Sequence, residues 1–207
     1  MTMIPDTVHS SALDEETARS ELYGVLAQVY YASPAPEFIA KLRLTATQAP
    51  AAGGSLEEPW RALVGVAREL SDASIAAEFE TLFGGVGKPE VYLYGSHYLS
   101  GFLNEKPLAR LRTELASLGL ERMASMSDTE DHIAYLFEVM RYLIAGDDVA
   151  VANLTRQHSF FAEHIQPWVL QLCDALQEHP KARFYAAVAE LTRTFMSVEA
   201  QGFDMLD

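Results

Sequence analysis

The chain has 207 residues, which is enough for one large domain or two small ones with a core that needs no disulfides. Its 29 acidic and 15 basic residues give a formal net charge of −14, which opposes binding to nucleic acid and to anionic membranes. The one cysteine, Cys173, excludes an intrachain disulfide, and its apolar helical surroundings favour a buried side chain over a reactive thiol.

The N-terminal part of the chain has the features of neither a signal peptide nor a membrane anchor. Positions 1–12 lack a basic region followed by an apolar one, and no apolar run approaches the ~18 residues of a membrane-spanning helix. We therefore expect a soluble, cytoplasmic protein without stable membrane insertion, with a flexible tail at positions 1–10. Ser11 and Asp14 then predict the cap of a first helix, which stops at Pro34.

The next part of the chain alternates helical patterns with one long irregular segment. Apolar spacing and capping patterns predict helices at about 37–44, 55–70 and 72–83. The stretch from Gly84 to Ser96 breaks the helical pattern, because it contains four glycines, a proline and two tyrosines. An irregular connection of this length inside a compact domain is uncommon unless it has a function.

Apolar and small residues flank this irregular segment on both sides. Phe79, Leu82 and Phe83 follow a helical spacing that is typical of core residues, although aromatic side chains beside a glycine-rich loop can also line a groove for a peptide helix. Gly95 permits a sharp turn and the close approach of other groups, and Ser96 is a candidate cap for the short helical segment that follows.

The second half of the chain predicts five further helices. Pro107 lies at the start of one, and Ser127 or Asp128 is expected to cap the next, which ends near Gly146. The last three are predicted at about 148–162, 165–178 and 181–201. The sequence therefore predicts an all-α fold, a single-domain helical bundle over positions 1–207 with about nine to eleven helices.

Asp131 and His132 lie near the start of the helix expected from about Asp128. Asp131 would fall in the first turn, where the helix dipole stabilises a carboxylate, so its charge has either a structural or a binding role. His132 shares an apolar stripe with Leu136 and Met140, which is typical of a hydrogen-bonded core histidine and leaves a ligand contact as the alternative.

No motif in the chain supports catalysis, a metal site or a cofactor. The segment from Gly84 to Lys88 lacks the spacing of a phosphate-binding loop and follows a helix rather than a strand. The six histidines form no H-E-x-x-H or E-x-x-H pattern, and no Gly-x-Ser-x-Gly motif is present. We therefore expect a protein that is not an enzyme and that uses no cofactor.

Several short motifs occur along the chain in a recognisable order. They are Phe79-x-x-Leu82-Phe83, Leu93-Tyr94-Gly95-Ser96, Thr129-Glu130-Asp131-His132, Phe161-x-x-His164-x-x-Pro167-Trp168 and Arg183-Phe184-Tyr185. With them the chain resembles the TorD/DmsD/NarJ family of molybdoenzyme-maturation chaperones, most closely the TorD/DmsD branch. Leu93 and Thr129 stand where the family pattern usually has proline, and this difference affects loop rigidity more than peptide binding.

The resemblance implies an all-helical cytoplasmic chaperone that binds the twin-arginine signal peptide, and sometimes the apo catalytic subunit, of a molybdopterin-containing oxidoreductase. It implies a monomer or a helix-swapped dimer, with Asp131 as the expected contact to the peptide. The leader-binding residues that it predicts are Phe79, Leu82, Phe83, Tyr94, Gly95, Ser96, Asp131 and His132. The alternative is a helical interaction or assembly module without specificity for a leader peptide.

Overall fold

The computed structural model describes residues 6–45, 54–84, 88–101, 106–123 and 126–205. Within these ranges the chain forms ten α-helices and no strand, which confirms the predicted all-α fold class. The helices are α1 (Asp6–Tyr31), α2 (Pro36–Leu44), α3 (Glu57–Glu69), α4 (Asp72–Phe83), α5 (Gly95–Ser100), α6 (Lys106–Ser117), α7 (Ile133–Ala145), α8 (Leu154–His164), α9 (Val169–Gln177) and α10 (Phe184–Asp204).

Helix α1 packs along α7. Its buried Tyr23 contacts Phe137 of α7 and Phe195 of α10, with ring centroids 5.6 and 4.8 Å apart. Helix α10 in turn packs against α3, α4 and α9. Burial of a large apolar side chain of this kind stabilises the fold by ~1.5–3 kcal/mol, so these aromatic contacts hold the two long helices in place.

A buried ion pair also joins α1 to α10. The Arg19 guanidinium donates two hydrogen bonds to the Glu199 carboxylate, of 2.7 and 2.8 Å, and a third to Gln157 of α8. The Tyr23 hydroxyl donates to the same carboxylate at 3.0 Å. The charge of Glu199 is therefore compensated on the inner side of the bundle.

Several helices begin at other residues than the capping patterns predict. Helix α1 begins at Asp6, before Ser11, and so overlaps the expected tail, while positions 1–5 lie outside the described residues. The sequence pattern predicts Ser55 and Asp72 as the caps of α3 and α4. Helix α3 has no side-chain cap, and α4 is capped by Ser71, because the Ser71 hydroxyl accepts from the Ser74 N–H. Two adjacent polar residues can each serve as a cap, so local sequence does not distinguish them.

Candidate functional site

The irregular segment 88–94 is joined by backbone hydrogen bonds to the residues that precede α7. Tyr94 and His132 form an isolated antiparallel bridge. On either side of it, the Gly95 N–H donates to the Asp131 carbonyl at 3.0 Å, and the Ile133 N–H donates to the Leu93 carbonyl at 2.8 Å. We call residues 93–96 and 128–133 the junction. It brings together the two motifs that the sequence places more than thirty positions apart.

Asp131 lies inside the junction rather than on its surface, with 3% of its area exposed. Its carboxylate accepts a hydrogen bond of 2.8 Å from the Ser96 N–H and one of 2.6 Å from the Thr129 hydroxyl. The expectation that Asp131 occupies the first helical turn is wrong, because α7 begins at Ile133. Its hydrogen bond to the Ser96 N–H instead holds the irregular segment against the start of α7.

His132 caps α7, which the sequence pattern assigned to Ser127 or Asp128. Its backbone is extended, and its Nδ1 accepts a hydrogen bond of 3.2 Å from the Ala134 N–H. Only 5% of the residue is exposed. Burial lowers the pKa of His132 to about 4, although Asp128 and Asp131 oppose the shift, so the imidazole is neutral at pH 7. A neutral ring with an unprotonated Nδ1 is the form that the cap requires.

Ser96 does not cap a helix, although the sequence suggested that it would. It lies within α5 and is buried, and the residue that precedes this helix is Tyr94, which makes no side-chain cap. The Ser96 N–H is instead satisfied by the Asp131 carboxylate. An acceptor from a distant part of the chain thus replaces the local cap.

Tyr94 and Asp128 form the polar edge of the junction, and both are half-buried. The Tyr94 hydroxyl donates to the Asp128 carboxylate at 2.5 Å, and the Ser127 hydroxyl donates at 2.7 Å. Burial opposes ionisation of Asp128, but these two hydrogen bonds hold its pKa below the usual value. Burial and Asp128 together raise the pKa of Tyr94. At neutral pH this edge therefore carries an anionic carboxylate beside a neutral phenol.

A row of aromatic rings leads from this edge through the buried His132 ring to the surface at Tyr31. The centroid distances are 5.1 Å from Tyr94 to His132, 5.6 Å from His132 to Tyr135, and 5.8 Å from Tyr135 to Tyr31. Tyr31, the last residue of α1, is 52% exposed. Aromatic faces beside a carboxylate attract guanidinium groups through cation–π and charge interactions.

Gly95 is required by the packing of Trp168. A Cβ atom at Gly95 would lie 2.9 Å from Trp168 Nε1 and 3.0 Å from Trp168 Cε2. The indole is fixed, because it stacks on Tyr98 at 5.4 Å and its Nε1 donates to the His164 carbonyl at 2.7 Å. The close approach expected at Gly95 is therefore present, and its partner is a side chain from a motif seventy residues further on.

Phe79, Leu82 and Phe83 form a neighbouring cluster at the end of α4. Leu82 is buried in the core, whereas Phe79 and Phe83 are half-buried and pack on Tyr185 of α10, with ring centroids 5.9 and 4.9 Å away. The Leu82 carbonyl accepts from the Val91 N–H at 2.9 Å, which ties this cluster to the 88–94 segment. The structure thus assembles five predicted site residues in the junction and three in an adjacent cluster.

Sequence reasoning missed the residues that anchor these two groups. Glu130 is buried in the junction and is held by two hydrogen bonds, of 3.0 and 2.9 Å, from Arg112 of α6. Glu78 accepts from three successive backbone N–H groups at the start of α10, from Arg183 to Tyr185. The family motifs included Glu130 and the Arg183 segment. The residues next to them in the sequence do not predict that their partners are Arg112 and Glu78.

Two kinds of feature are absent from the described residues. They contain no group of three or more His, Cys, Asp or Glu side chains arranged to hold a metal ion. Across the same ranges, none of the helices combines the length and the apolar character needed to cross a membrane.

Comparison with known proteins identifies the family to which the chain belongs. Residues 49–174, more than half of the chain, match the family described as nitrate reductase delta subunit. The chain is therefore a member of this family, which confirms the resemblance to the TorD and NarJ proteins. This is a family of chaperones, as the sequence motifs predict, and not of enzymes.

Two relatives both bear the name chaperone protein TorD. The protein from Aliivibrio fischeri (strain ATCC 700601 / ES114) is 30% identical over 142 residues, and the protein from Aliivibrio salmonicida (strain LFI1238) is 26% identical over 142 residues. In each case the match covers 65% of this chain and 66% of the relative, slightly less than two thirds of the relative's length.

Proposed function

We propose that this protein is a cytoplasmic chaperone for a molybdopterin-containing oxidoreductase. It binds the twin-arginine signal peptide, the apo catalytic subunit, or both, during cofactor insertion and before export, as a monomer or a helix-swapped dimer. Membership of the nitrate reductase delta subunit family supports this proposal, as do two relatives named as TorD chaperones. The observation that carries it is the anionic, aromatic edge of the junction.

The arginines of a leader peptide suit this edge chemically. A guanidinium is planar and cationic, so it can pair with the Asp128 carboxylate while its face lies on Tyr94 or Tyr135. The net charge of −14 adds a long-range attraction for a basic peptide. In this proposal Asp131 and His132 act by positioning Tyr94, because both are buried and already hydrogen-bonded.

The neighbouring cluster supplies apolar surface in the same proposal. Phe79 and Phe83 are half-buried, so part of each ring remains available to an apolar side chain of the client. Leu82 supports them from the core, and Gly95 and Ser96 keep the 88–94 segment close to α7. Association costs ~4–15 kcal/mol, so apolar contacts to these two rings offset only part of that cost. The binding is therefore reversible, which suits a chaperone that must release its client.

A specific observation favours the alternative of a helical interaction module without leader specificity. The carboxylates of Asp131 and Glu130 and the Nδ1 of His132 are all hydrogen-bonded within the protein, as expected if the junction only stabilises the fold. The two functions differ in whether binding depends on the order of residues in the peptide. A dedicated chaperone distinguishes a leader from its scramble, whereas a general module does not.

Calorimetric titration with synthetic leaders of candidate molybdoenzymes tests the proposal. Each leader is compared with its scrambled sequence and with a version in which lysines replace the paired arginines. We expect saturable binding to one leader, no binding to its scramble, and weaker binding to the lysine version, because lysine lacks the planar fork of arginine. Equal binding to the leader and its scramble would support the interaction module instead.

A further inference from the structure

Helices α1, α3 and α10 enclose an apolar groove of about 620 Å³, on a different surface from the junction. We propose that this groove binds the apolar stretch of a leader peptide, held as a helix, with the basic end of the peptide beside α1. This inference rests on the proposed function and adds a second contact to it. The apolar lining includes Leu22, Val25, Leu56, Trp60, Phe195 and Val198.

The groove presents apolar side chains that the rest of the fold leaves partly uncovered. Leu22, Val25 and Trp60 are half-buried, and Val198 of α10 is 37% exposed. An amphipathic or apolar helix binds such a groove through side chains at positions i, i+3, i+4 and i+7. The groove therefore suits a helical segment better than an extended one, because two of its walls are the long helices α1 and α10.

The length of the groove matches the apolar part of a signal peptide. Along α1 its lining extends from Glu15 to Val25, ten residues further on. At 1.5 Å per residue this is roughly 15 Å, the length of about ten helical residues. The apolar region of a signal peptide has about 7–15 residues, and it follows a basic region.

Charge at the rim of the groove complements that basic region. Glu15 and Glu21 of α1 line the groove and are exposed. Arg19 lies between them, but its guanidinium is engaged by the Glu199 carboxylate in two hydrogen bonds, so its charge is compensated. The remaining rim charge is negative, which attracts lysine or arginine at the end of an apolar helix.

The groove and the junction lie on opposite sides of α1. Leu22 faces the groove, and Tyr31 belongs to the aromatic row beside the junction. Nine residues separate them, which is roughly two and a half helical turns and places the two side chains in opposite directions. Each surface can therefore be altered without touching the other.

The two tryptophans provide a direct measurement of groove occupancy. Trp168 is 1% exposed, whereas Trp60 lines the groove and is half-buried, so acrylamide quenches mainly the fluorescence of Trp60. The probes are a complete twin-arginine leader, the same leader with its apolar stretch replaced by serine and glycine, and a lysine-flanked apolar helix without paired arginines. Affinity is measured separately from the anisotropy of labelled peptides.

The matched pair of variants is Val198→Glu in the groove and Leu170→Glu on α9. Leu170 is 41% exposed and does not line the groove, so the two changes place the same charge at similar exposure. We expect the lysine-flanked helix to protect Trp60 from acrylamide. Val198→Glu should weaken its binding at least tenfold, and Leu170→Glu should change it less than twofold. Circular dichroism and urea unfolding show that both variants fold.

Other outcomes overturn the inference in distinguishable ways. If Val198→Glu binds the complete leader and the apolar helix as the wild type does, the groove is not the site, while the proposed function stands. If the wild type does not distinguish the leader from its scramble, the proposed function fails, and with it the leader as occupant. Two results would show that this chain itself occupies the groove. One is that Trp60 is protected from acrylamide before any peptide is added, and the other is that sedimentation velocity shows a dimer that Val198→Glu dissociates.

Discussion

The junction and the apolar groove differ in the kind of contact that shapes them. In the junction the buried Asp131 carboxylate and the His132 cap have protein partners, so its geometry is fixed by hydrogen bonds that tolerate little displacement. In the groove Leu22, Trp60 and Val198 make non-directional apolar contacts. A fixed polar edge favours discrimination between clients, whereas an apolar groove favours affinity for many related helices.

The largest effect that we expect is a loss of stability at low pH. It arises in the junction, from His132, and not in the groove. The pKa of His132 is about 4 in the folded state and about 6.5 in the unfolded state, so the unfolded chain takes up a proton first as the pH falls. The stabilisation is complete above pH 6.5 and is lost between pH 6.5 and 4, by up to about 3 kcal/mol. Burial also lowers the pKa values of His97 and His164, which adds to the loss in the same direction.

The His132→Asn variant isolates this contribution. Its amide oxygen can accept from the Ala134 N–H as the cap of α7, but it does not titrate. Urea unfolding of the wild type and the variant at pH 7, 6 and 5 measures the free energy of unfolding of each. We expect similar values at pH 7 and a shallower loss for the variant below it. Parallel profiles would show that His132 is not buried as a neutral ring.

The next largest effect tests the internal role of Asp131. Asp131→Ala leaves the buried Ser96 N–H without its acceptor, so we expect a loss of about 2 kcal/mol in the free energy of unfolding. The control is Asp147→Ala, which removes an exposed carboxylate after α7 and should change stability by less than about 0.5 kcal/mol. Equal stability of the two variants would show that the Asp131 carboxylate does not hold the Ser96 N–H in the folded protein.

Gly95→Ala is expected to have a somewhat smaller effect. The added Cβ would meet the fixed Trp168 indole at 2.9 Å, and overpacking of this kind costs about 1–2 kcal/mol. Gly65→Ala is the matched control, because Gly65 lies in α3 and, apart from its chain neighbours and the backbone of its own helix, nothing lies within 4 Å of the new Cβ. There the higher helix propensity of alanine should stabilise the protein by up to about 1 kcal/mol. Thermal unfolding distinguishes the opposite signs.

The smallest effect concerns binding at the polar edge. Asp128→Asn should weaken binding of a twin-arginine leader about five- to tenfold, roughly 1–1.4 kcal/mol, because a half-buried ion pair is lost. Glu138→Gln removes the same charge from an exposed position on α7 and should change the affinity less than twofold. If both variants bind alike in calorimetry, only net charge attracts the peptide, and the junction has no specific role.

Much of the fold follows from local sequence. The helical spacing and the proline and glycine breaks gave the number of helices and most of their approximate positions, because helix formation depends on residues three or four apart. The irregular character of 84–96 is confirmed for the described part, residues 88–94, while 85–87 lie outside the described residues. The family motifs correctly placed the chain among the TorD and NarJ proteins.

The site could be predicted only in part, because its geometry depends on distant partners. The family motifs singled out Tyr94, Asp131 and His132, and the structure brings these three residues together in the junction. It did not show that Asp131 bonds to the Ser96 N–H, or that Gly95 lies against Trp168. These contacts form only when separate helices pack, and neither the spacing nor the composition of a local segment encodes them.

The sequence by itself determined that this protein is an acidic, all-helical member of a chaperone family, because helical period, charge and motif order are properties of the chain alone. Tertiary structure decided which polar groups are buried and which surfaces remain open. Pairing of residues 93–95 with the residues before α7 placed His132 inside as a cap, and the packing of α1, α3 and α10 left the apolar groove. Burial and cavities arise from the relative positions of helices, and tertiary packing sets those positions.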